Sequence, residues 1–205
     1  MKKTIERYLL ASIAMSCIST GVAFIAETRI GADSITLLFQ ALYNNFGLTI
    51  GTWSTVVGIV CLTVTLFCDR KKIGYSTFFY VIVGQYIIDG VMYLLPTPDS
   101  YLIDALYAVI GILVASIGSA LGVGTRLGLS YFDGFCFSIT DKFHLNYVVF
   151  RYITEICFII VCMILHTYPN IGTLVYFIAF GPCINFFIKL TKTKIRTYFG
   201  LEIEY

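Results

Sequence analysis

The hydrophobic positions of the chain fall into six long runs and two short ones. The long runs cover residues 8–28, 48–68, 75–95, 102–124, 147–166 and 171–190. A helix needs about 20 apolar residues to cross roughly 30 Å of hydrocarbon, so each long run predicts a membrane-spanning helix. The two short segments, residues 33–46 and 130–142, are marginal for such a crossing. The pattern predicts an all-α membrane protein with six transmembrane helices and two additional short helices.

A four-residue phrase occurs twice in the chain. Thr-Arg-Ile-Gly at residues 28–31 recurs as Thr-Arg-Leu-Gly at residues 125–128, an offset of 97 positions (from 28 to 125). We call these two stretches the Thr-Arg phrases. Gly21 and Gly118 match at the same offset, and joint matches at one fixed offset indicate an internal repeat. We therefore predict one membrane domain built from two repeats, residues 1–97 and 98–205.

The composition is that of a membrane protein and does not predict binding to nucleic acid. Of the 205 residues, 58% are hydrophobic and 13% are charged, with a mean hydropathy of +0.85. Soluble domains carry about 25% charged residues. The net charge is only +2, and the basic residues stand at the ends of apolar runs rather than in a patch with interleaved aromatic residues. The lipid bilayer is the expected environment.

The sequence carries no motif for a cofactor or for covalent chemistry. Its seven cysteines include no Cys-x-x-Cys pair, so we expect neither a metal site nor a redox site. The motifs of nucleotide-binding loops, zinc proteases and serine hydrolases are also missing. We therefore expect no cofactor and no enzymatic activity.

The basic residues predict the orientation of the chain in the membrane. With six spans, one face receives Lys2, Lys3 and Arg7, the Arg70–Lys72 cluster, Arg126 with Lys142, and the basic tail from Lys189 to Arg196. The opposite face receives a single arginine, Arg29. Cytoplasmic loops carry the excess of Lys and Arg, so both termini are expected in the cytoplasm. If the short segments also crossed, the Arg70–Lys72 cluster would lie outside.

Each predicted repeat contains three spans, and this odd number has a consequence. The second repeat enters the membrane from the opposite side and is upside down relative to the first. Inverted repeats with short or broken helices at matched positions are typical of many secondary transporters, whose binding site lies near the midplane. The comparison with transporters rests on similar architecture alone. It predicts a site at the interface of the two repeats.

The two short segments carry polar residues on one helical face. The spacing places Asp33, Thr36, Gln40 and Asn44 on that face of the first segment, and Ser130, Asp133, Phe137 and Asp141 on that of the second. Asp33 and Ser130 also stand where a helix N-cap belongs. Two interpretations are open. Each segment is either an amphipathic helix on the membrane surface or a re-entrant helix that presents Asp33, Thr36 and Asp133 to a polar cavity.

Three further ionisable residues within the spans are considered as site residues. Arg151 and Glu155 are four residues apart in the fifth span, a spacing that lets them pair on one helix face. This pair either pins helices together or contacts a substrate or a coupling proton. Asp89, near the end of the third span, is either an interfacial residue or a site residue.

The arginines of the Thr-Arg phrases also have two interpretations. Arg29 and Arg126 follow the ends of spans, where long basic side chains often extend to lipid headgroups. Their repetition favours a second role, in which each arginine fixes the turn into a short segment together with the glycine of its phrase, Gly31 or Gly128.

Short motifs spread over nearly the whole chain resemble the YczE/YyaS/YitT family of bacterial membrane proteins. These motifs are Gly31–Thr36, Leu48–Gly51, Ile73-Gly74, Asp133-Gly134, Arg151 with Glu155, and Asn170–Thr173. The chain departs from the family at Tyr131-Phe132, where many members have Gly-Pro, and at Ser34, where Pro is frequent. The resemblance implies a bacterial inner-membrane protein, in some members linked to peptide-antibiotic production. It implies no particular substrate.

These observations predict one of two functions. The first is a small secondary transporter or permease, acting singly or as a homodimer, whose carboxylates bind a cation, a proton or an amine. The residues expected to bind the unknown solute or ion are Asp33, Thr36, Gln40, Asp133, Arg151 and Glu155. The alternative is a non-transporting accessory, immunity or assembly factor for a membrane complex.

Overall fold

The computed structural model describes residues 2–199, apart from the side chains of residues 2, 192–196 and 199. Lys192, Lys194 and Arg196 of the basic tail therefore have side chains outside the described residues. Within residues 2–199 all regular structure is helical. The helices are α1 (Lys2–Glu27), α2 (Ser34–Phe46), α3 (Ile50–Cys68), α4 (Tyr75–Leu94), α5 (Tyr101–Thr125), α6 (Tyr131–Phe143), α7 (Tyr147–Ile164) and α8 (Ile171–Phe199), with a 3-10 turn at Arg70–Lys72.

Six of these helices are long and apolar enough to cross a membrane, judged by length and composition; they are α1, α3, α4, α5, α7 and α8. The predicted all-α membrane protein with six candidate spans and two short helices is confirmed for the described residues. The helix ends differ from the apolar runs, because α1 already begins at Lys2 and α8 continues to Phe199. Long polar side chains are good helix formers, so hydropathy locates the membrane portion of a helix but not its ends.

Helices α1 and α5 lie against each other at the centre of the molecule. Helix α1 also packs along α4, and α5 also packs along α8. A Cβ atom added to Gly21 would lie 2.6 Å from the Cβ of Ala115, and one added to Gly118 would lie 2.6 Å from the carbonyl oxygen of Ala14. Small residues allow such close backbone approach, which is a main source of helix association in membranes. These glycines therefore set the distance between α1 and α5.

The two short helices lie between α3 and α7. Both α2 and α6 pack against each of these two spans, and Asp33 and Ser130 are their N-caps, as the sequence predicts. Thr36 of α2 and Ser138 of α6 are completely buried, whereas the last residues of both helices are exposed. The face of α2 predicted to be polar is therefore turned into the protein at Thr36 rather than towards water.

Each Thr-Arg phrase is hydrogen-bonded to the beginning of a helix from the other half of the chain. The backbone N–H of Gly172, at the start of α8, donates to the carbonyl oxygen of Ile30 over 3.2 Å. The backbone N–H of Ser76, at the start of α4, donates to the carbonyl oxygen of Leu127 over 3.0 Å. The two carbonyl acceptors occupy matched positions of the repeated phrase.

The glycine of each phrase is required by its conformation and by its neighbour. Gly31 has a φ of 134° and Gly128 a φ of 106°, values that L side chains rarely adopt. A Cβ atom on Gly31 would lie 2.9 Å from the backbone nitrogen of Thr173, and one on Gly128 would lie 2.7 Å from that of Gly74. Only glycine therefore allows both contacts between the halves.

A side chain from a neighbouring helix also holds each phrase. Asp104 of α5 accepts from the backbone N–H of Arg29 over 3.0 Å and from its guanidinium Nη2 over 2.8 Å. Arg7 of α1 donates to the carbonyl oxygens of Thr125 and Arg126. The Asp104 side chain is completely buried, while that of Arg29 is 54% exposed. Arg29 therefore has a carboxylate partner inside the bundle.

Candidate functional site

An ionic cluster joins the start of α6 to the first half of α7. Arg151 Nη1 lies 2.6 Å from Asp133 Oδ1, and Arg151 Nε lies 3.1 Å from Glu155 Oε1. The side chains of Arg151, Asp133 and Glu155 are 21%, 20% and 14% exposed, so most of each charged group is withdrawn from solvent. The i,i+4 pair expected from the sequence is present, and Asp133 joins it through the fold.

Asp133 is well supplied with hydrogen bonds. Ser130 Oγ donates to Asp133 Oδ2 over 2.9 Å, and the Tyr147 hydroxyl donates to Oδ1 over 3.3 Å. Arg151 Nη1 also donates to the Tyr147 hydroxyl oxygen over 2.8 Å. Both oxygens of the Asp133 carboxyl group are therefore hydrogen-bonded, and these bonds hold the start of α6 against α7.

Aromatic rings enclose this cluster. The Arg151 guanidinium carbon lies 5.2 Å from the centroid of the Phe132 ring, within the range of a cation–π interaction. Phe137, which shares the predicted polar face of α6, stacks on Tyr147 with ring centroids 4.1 Å apart. These rings cover part of the cluster and reduce its contact with water, which strengthens its ion pairs.

Asp33 has a different environment at the start of α2. Its Oδ2 accepts from the backbone N–H of Thr36 over a long 3.4 Å, while its buried Oδ1 has no hydrogen-bond partner among the described residues. Burial raises the pKa of the Asp33 carboxyl above its ordinary value, and the long hydrogen bond from the Thr36 backbone only partly opposes that shift. The carboxyl of Asp33 therefore takes up a proton more readily than an exposed aspartate.

The two aspartates of the short helices share one electrostatic neighbourhood. Glu155 and Tyr80 each interact electrostatically with both Asp33 and Asp133. Arg151 also interacts with both carboxylates. The neighbourhood thus contains three carboxyl groups and one guanidinium, and it has a net charge of −2 when all four groups are ionised. Such a site favours cations.

Thr36 and Gln40 have separate positions relative to this neighbourhood. Thr36 lies beside the Asp33 carboxyl, and its buried Oγ1 has no hydrogen-bond partner among the described residues. Gln40 Nε2 instead donates to the carbonyl oxygen of Ala26 over 2.7 Å. Of the six residues expected to bind a solute or ion, five therefore lie in or beside the shared neighbourhood, and Gln40 holds the end of α1.

Sequence reasoning missed the role of Asp104. The only available signal was a carboxylate alone in the apolar run 102–124, and its arginine partner is 75 residues away in the chain. Asp89, left open between an interfacial and a site residue, accepts from the Thr49 hydroxyl over 2.6 Å and from the Gly51 N–H over 2.9 Å. Asp89 therefore helps to cap the start of α3. No cluster of three metal-ligating side chains occurs in the described part of the chain.

The profile of a family of unknown function, DUF6198, matches residues 5–189 of the chain. The chain is similar to an uncharacterised protein of Haemophilus influenzae, with 26% identity over 189 residues that cover 92% of this chain and 84% of that protein. No solved structure matches the chain at a significant level.

Two proteins of Bacillus subtilis are also similar to the chain. The uncharacterised protein YyaS is 21% identical over 193 residues, which cover 91% of this chain and 94% of YyaS. The uncharacterised membrane protein YczE is 24% identical over 144 residues, which cover 69% of this chain and 66% of YczE. These are members of the family that the sequence motifs resemble.

Proposed function

The chain belongs to the family of unknown function DUF6198 and is a polytopic membrane protein, and we propose that it works as a small secondary transporter or permease of the bacterial cell membrane. The proposed site moves a solute or an ion and performs no covalent chemistry. It consists of Asp33, Thr36, Asp133, Arg151 and Glu155, with Gln40 at its edge.

The observation that carries this proposal is the charged cluster inside an apolar bundle. A charged side chain at the centre of a membrane helix costs about 2.5–3.5 kcal/mol on insertion scales, and such residues usually mark pathways for ions or substrates. Asp133, Arg151 and Glu155 meet within a few ångströms, and Asp33 joins them electrostatically. Because carboxylates outnumber guanidinium groups, the expected cargo is a cation, a proton or an amine.

Matched contacts support two inverted repeats as the architecture of this transporter. Positions 7 and 104 differ by 97, and each holds a Thr-Arg phrase of the other half. Asn45 donates to the carbonyl oxygen of Leu165 over 2.8 Å, and Lys142 donates to that of Phe67 over 3.3 Å; positions 45 and 142 differ by the same 97. With three spans in each half, matched contacts of this kind support opposite orientations of the two halves.

The position of the basic residues supports a cytoplasmic location for both termini. Lys72 pairs with Asp141 over 2.7 Å at the same end of the bundle where Lys142 holds the end of α3. Tyr8 stacks edge-on against Tyr75 at this end, with ring centroids 4.9 Å apart. The positive-inside rule makes the basic end cytoplasmic. In this arrangement α2 and α6 are re-entrant helices that enter from opposite faces.

The test is a flux assay with purified protein in liposomes that contain a pH-sensitive dye. A potassium gradient with valinomycin sets the membrane potential, and proton entry is followed with and without a panel of small organic cations and sodium. We expect a flux that exceeds that of protein-free liposomes and is lost in Asp133→Asn. Full flux in the double variant Asp33→Asn/Asp133→Asn would reject these residues as the site.

One observation favours the alternative of a non-transporting accessory factor. Helices α7 and α8 are the least buried of the six candidate spans, and they do not pack along each other as α3 and α4 do. Their exposed apolar faces leave area within the membrane for a protein partner. Recovery of a single stoichiometric partner after mild detergent extraction, together with full biological activity of the acidic variants, would favour the accessory role.

A further inference from the structure

The aspartates of the two short helices differ in how their oxygen atoms are satisfied. Asp133 accepts hydrogen bonds on both oxygens and contacts Arg151 directly. Asp33 has one long hydrogen bond to Oδ2 and none to its buried Oδ1 within the described residues. An ionised carboxylate that is buried without a partner is unstable, and it relieves this cost most simply by taking up a proton.

Two further buried oxygen atoms belong to the surroundings of Asp33. Thr36 is completely buried and Tyr176 is 2% exposed, and neither hydroxyl has a hydrogen-bond partner among the described residues. Thr36 lies beside the Asp33 carboxyl, and Tyr176 interacts with it electrostatically from α8. Each hydroxyl is able to accept a hydrogen bond from a protonated carboxyl or donate one to an ionised carboxylate.

Charged and titratable groups on every side of Asp33 determine which form it prefers. They are Arg151 and Glu155 on α7, Tyr80 on α4, Tyr131 and Asp133 on α6, and Tyr176 on α8, with Cys61 of α3 next to Tyr131. The one guanidinium in this set is already hydrogen-bonded to Asp133 and Glu155. Arg151 interacts with Asp33 electrostatically without a hydrogen bond to it, and this attraction only partly opposes the burial that favours the neutral form of Asp33.

We propose that Asp33 carries an exchangeable proton in the resting protein, while Asp133 stays hydrogen-bonded to Arg151. A proton from water adds to an oxygen of the Asp33 carboxylate and forms an O–H bond that donates to the Thr36 or Tyr176 hydroxyl. Release breaks that O–H bond and returns the proton to water, leaving one negative charge at Asp33 that interacts electrostatically with Arg151. If the proposed transport function holds, Asp33 is its coupling carboxyl and the substrate class includes the proton.

The number of free oxygen atoms favours a proton over a metal cation. A bound metal cation needs a shell of about six oxygen ligands, whereas a proton needs only the oxygen that carries it and one acceptor. Asp33 Oδ1 and the hydroxyls of Thr36 and Tyr176 are the unpartnered oxygens of this neighbourhood. These three oxygen atoms are enough to bind a proton and hydrogen-bond it, but they are fewer than the ligands that a metal cation requires.

Infrared difference spectroscopy of the full chain in lipid tests this inference without any transported substrate. Spectra are recorded as a function of pH, and the C=O stretching band of protonated carboxyl groups is followed. Exposed carboxyl groups also give such a band at acid pH, so the component that titrates above the ordinary carboxyl range is the one followed. We expect this component to disappear in Asp33→Asn and to persist in Asp133→Asn. Its persistence in Asp33→Asn, or its absence from the unaltered protein, would overturn the proposal.

The flux assay separates failure of this inference from failure of the proposed function. If the Asp33 band is present but no flux is measured, Asp33 binds a proton as proposed and the transport function is rejected. If a flux is measured but the Asp33 band is absent, the transport function stands and Asp33 is rejected as the residue that carries the proton. Because Asn has nearly the same shape as a protonated Asp, the variant is expected to fold; an elution profile equal to that of the unaltered protein checks this.

Discussion

The Asp133–Arg151 pair combines short contacts with limited access to water. Their atoms approach to 2.6 Å, and about a fifth of each side chain is exposed. A charge that loses its partner in such a place keeps the cost of its removal from water and loses the compensating attraction. The pair therefore matters most when only one member is changed.

We expect Asp133→Asn to lower the free energy of unfolding by about 2–3 kcal/mol, because it leaves Arg151 without its strongest partner. Thermal unfolding in detergent measures the effect. Asp141→Asn is the matched control, since its salt bridge with Lys72 is formed by a side chain that is 54% exposed and such pairs contribute about 0–1 kcal/mol. Equal losses in the two variants would contradict a special role for the interior pair.

The raised pKa of Asp33 predicts a specific dependence of stability on pH. The folded state holds this proton more tightly than the unfolded state, so stability is unaffected below the ordinary carboxyl pKa and falls as the pH rises from there to the folded-state pKa. Asp33→Asn cannot lose a proton. We therefore expect its melting temperature to exceed that of the unaltered protein by an amount that grows with pH across this window.

Melting temperatures of both proteins, measured at several pH values in one detergent, provide the comparison. A constant difference between Asp33→Asn and the unaltered protein would show that Asp33 titrates alike in both states. A lower melting temperature for the variant at neutral pH would show that the Asp33 carboxylate is ionised and paired.

Among the elements, the Thr-Arg phrases make close backbone contacts between the two halves. We expect Gly31→Ala and Gly128→Ala to destabilise the protein by more than the 1–3 kcal/mol typical of a strained backbone, because each added methyl also meets a backbone nitrogen within 3 Å. Gly47→Ala is the control, since Gly47 has a φ of 71° and no atom within 4 Å of an added Cβ.

Thermal unfolding of the three alanine variants separates two effects. Gly47→Ala reports backbone strain alone, whereas the variants at residues 31 and 128 report strain together with the clash against the neighbouring helix. Losses at residues 31 and 128 that are no larger than the loss at residue 47 would mean that the neighbouring helix start moves aside freely. The contact between a phrase and the opposite half would then contribute little to stability.

Local sequence signals predicted the elements well. Apolar runs of sufficient length gave the six spans, and a polar residue before each short apolar segment gave the N-caps Asp33 and Ser130. The spacing of Arg151 and Glu155 gave their pair. Each of these features depends on residues that are close together in the chain, so a single sequence is sufficient to predict it.

Contacts between distant elements escaped the same reasoning. The carboxylate that holds Arg29 lies in another span, and Asp133 meets Arg151 only because α6 folds back onto α7. The difference between a saturated Asp133 and a poorly satisfied Asp33 also depends on side chains from several helices. Two aspartates that look alike in the sequence therefore act differently in the fold.

For the whole molecule, the proposed topology predicts which loops share a face. We expect single cysteines placed at residues 30 and 47, in a background free of other cysteines, to react with a membrane-impermeant thiol reagent from the same outer side. A cysteine at residue 71 should react only after the membrane is opened. The reason is that α2 enters and leaves by one face, whereas α3 crosses.

Labelling of intact and permeabilised cells measures from which side of the membrane each cysteine is accessible. Opposite accessibility of residues 30 and 47 would mean that α2 crosses the membrane, and the proposed inversion of the halves would be lost. Strong labelling at residue 36 from outside by a bulky reagent would instead place α2 at the membrane surface, although Thr36 is buried within the chain.

The side chains at positions 7 and 104 have a consequence for biogenesis. They hold equivalent loops at the two ends of the bundle, yet one is a guanidinium and the other a carboxylate. A single half that had to pair with a flipped copy of itself would carry the same group at both ends and would have no reason to prefer one direction of insertion. If the halves are inverted as proposed, Arg7 adds a positive charge at the cytoplasmic end, whereas Asp104 offsets the charge of Arg29 at the opposite end. This asymmetry favours one direction of membrane insertion, and exchanging Arg7 with Asp104 is expected to weaken that preference.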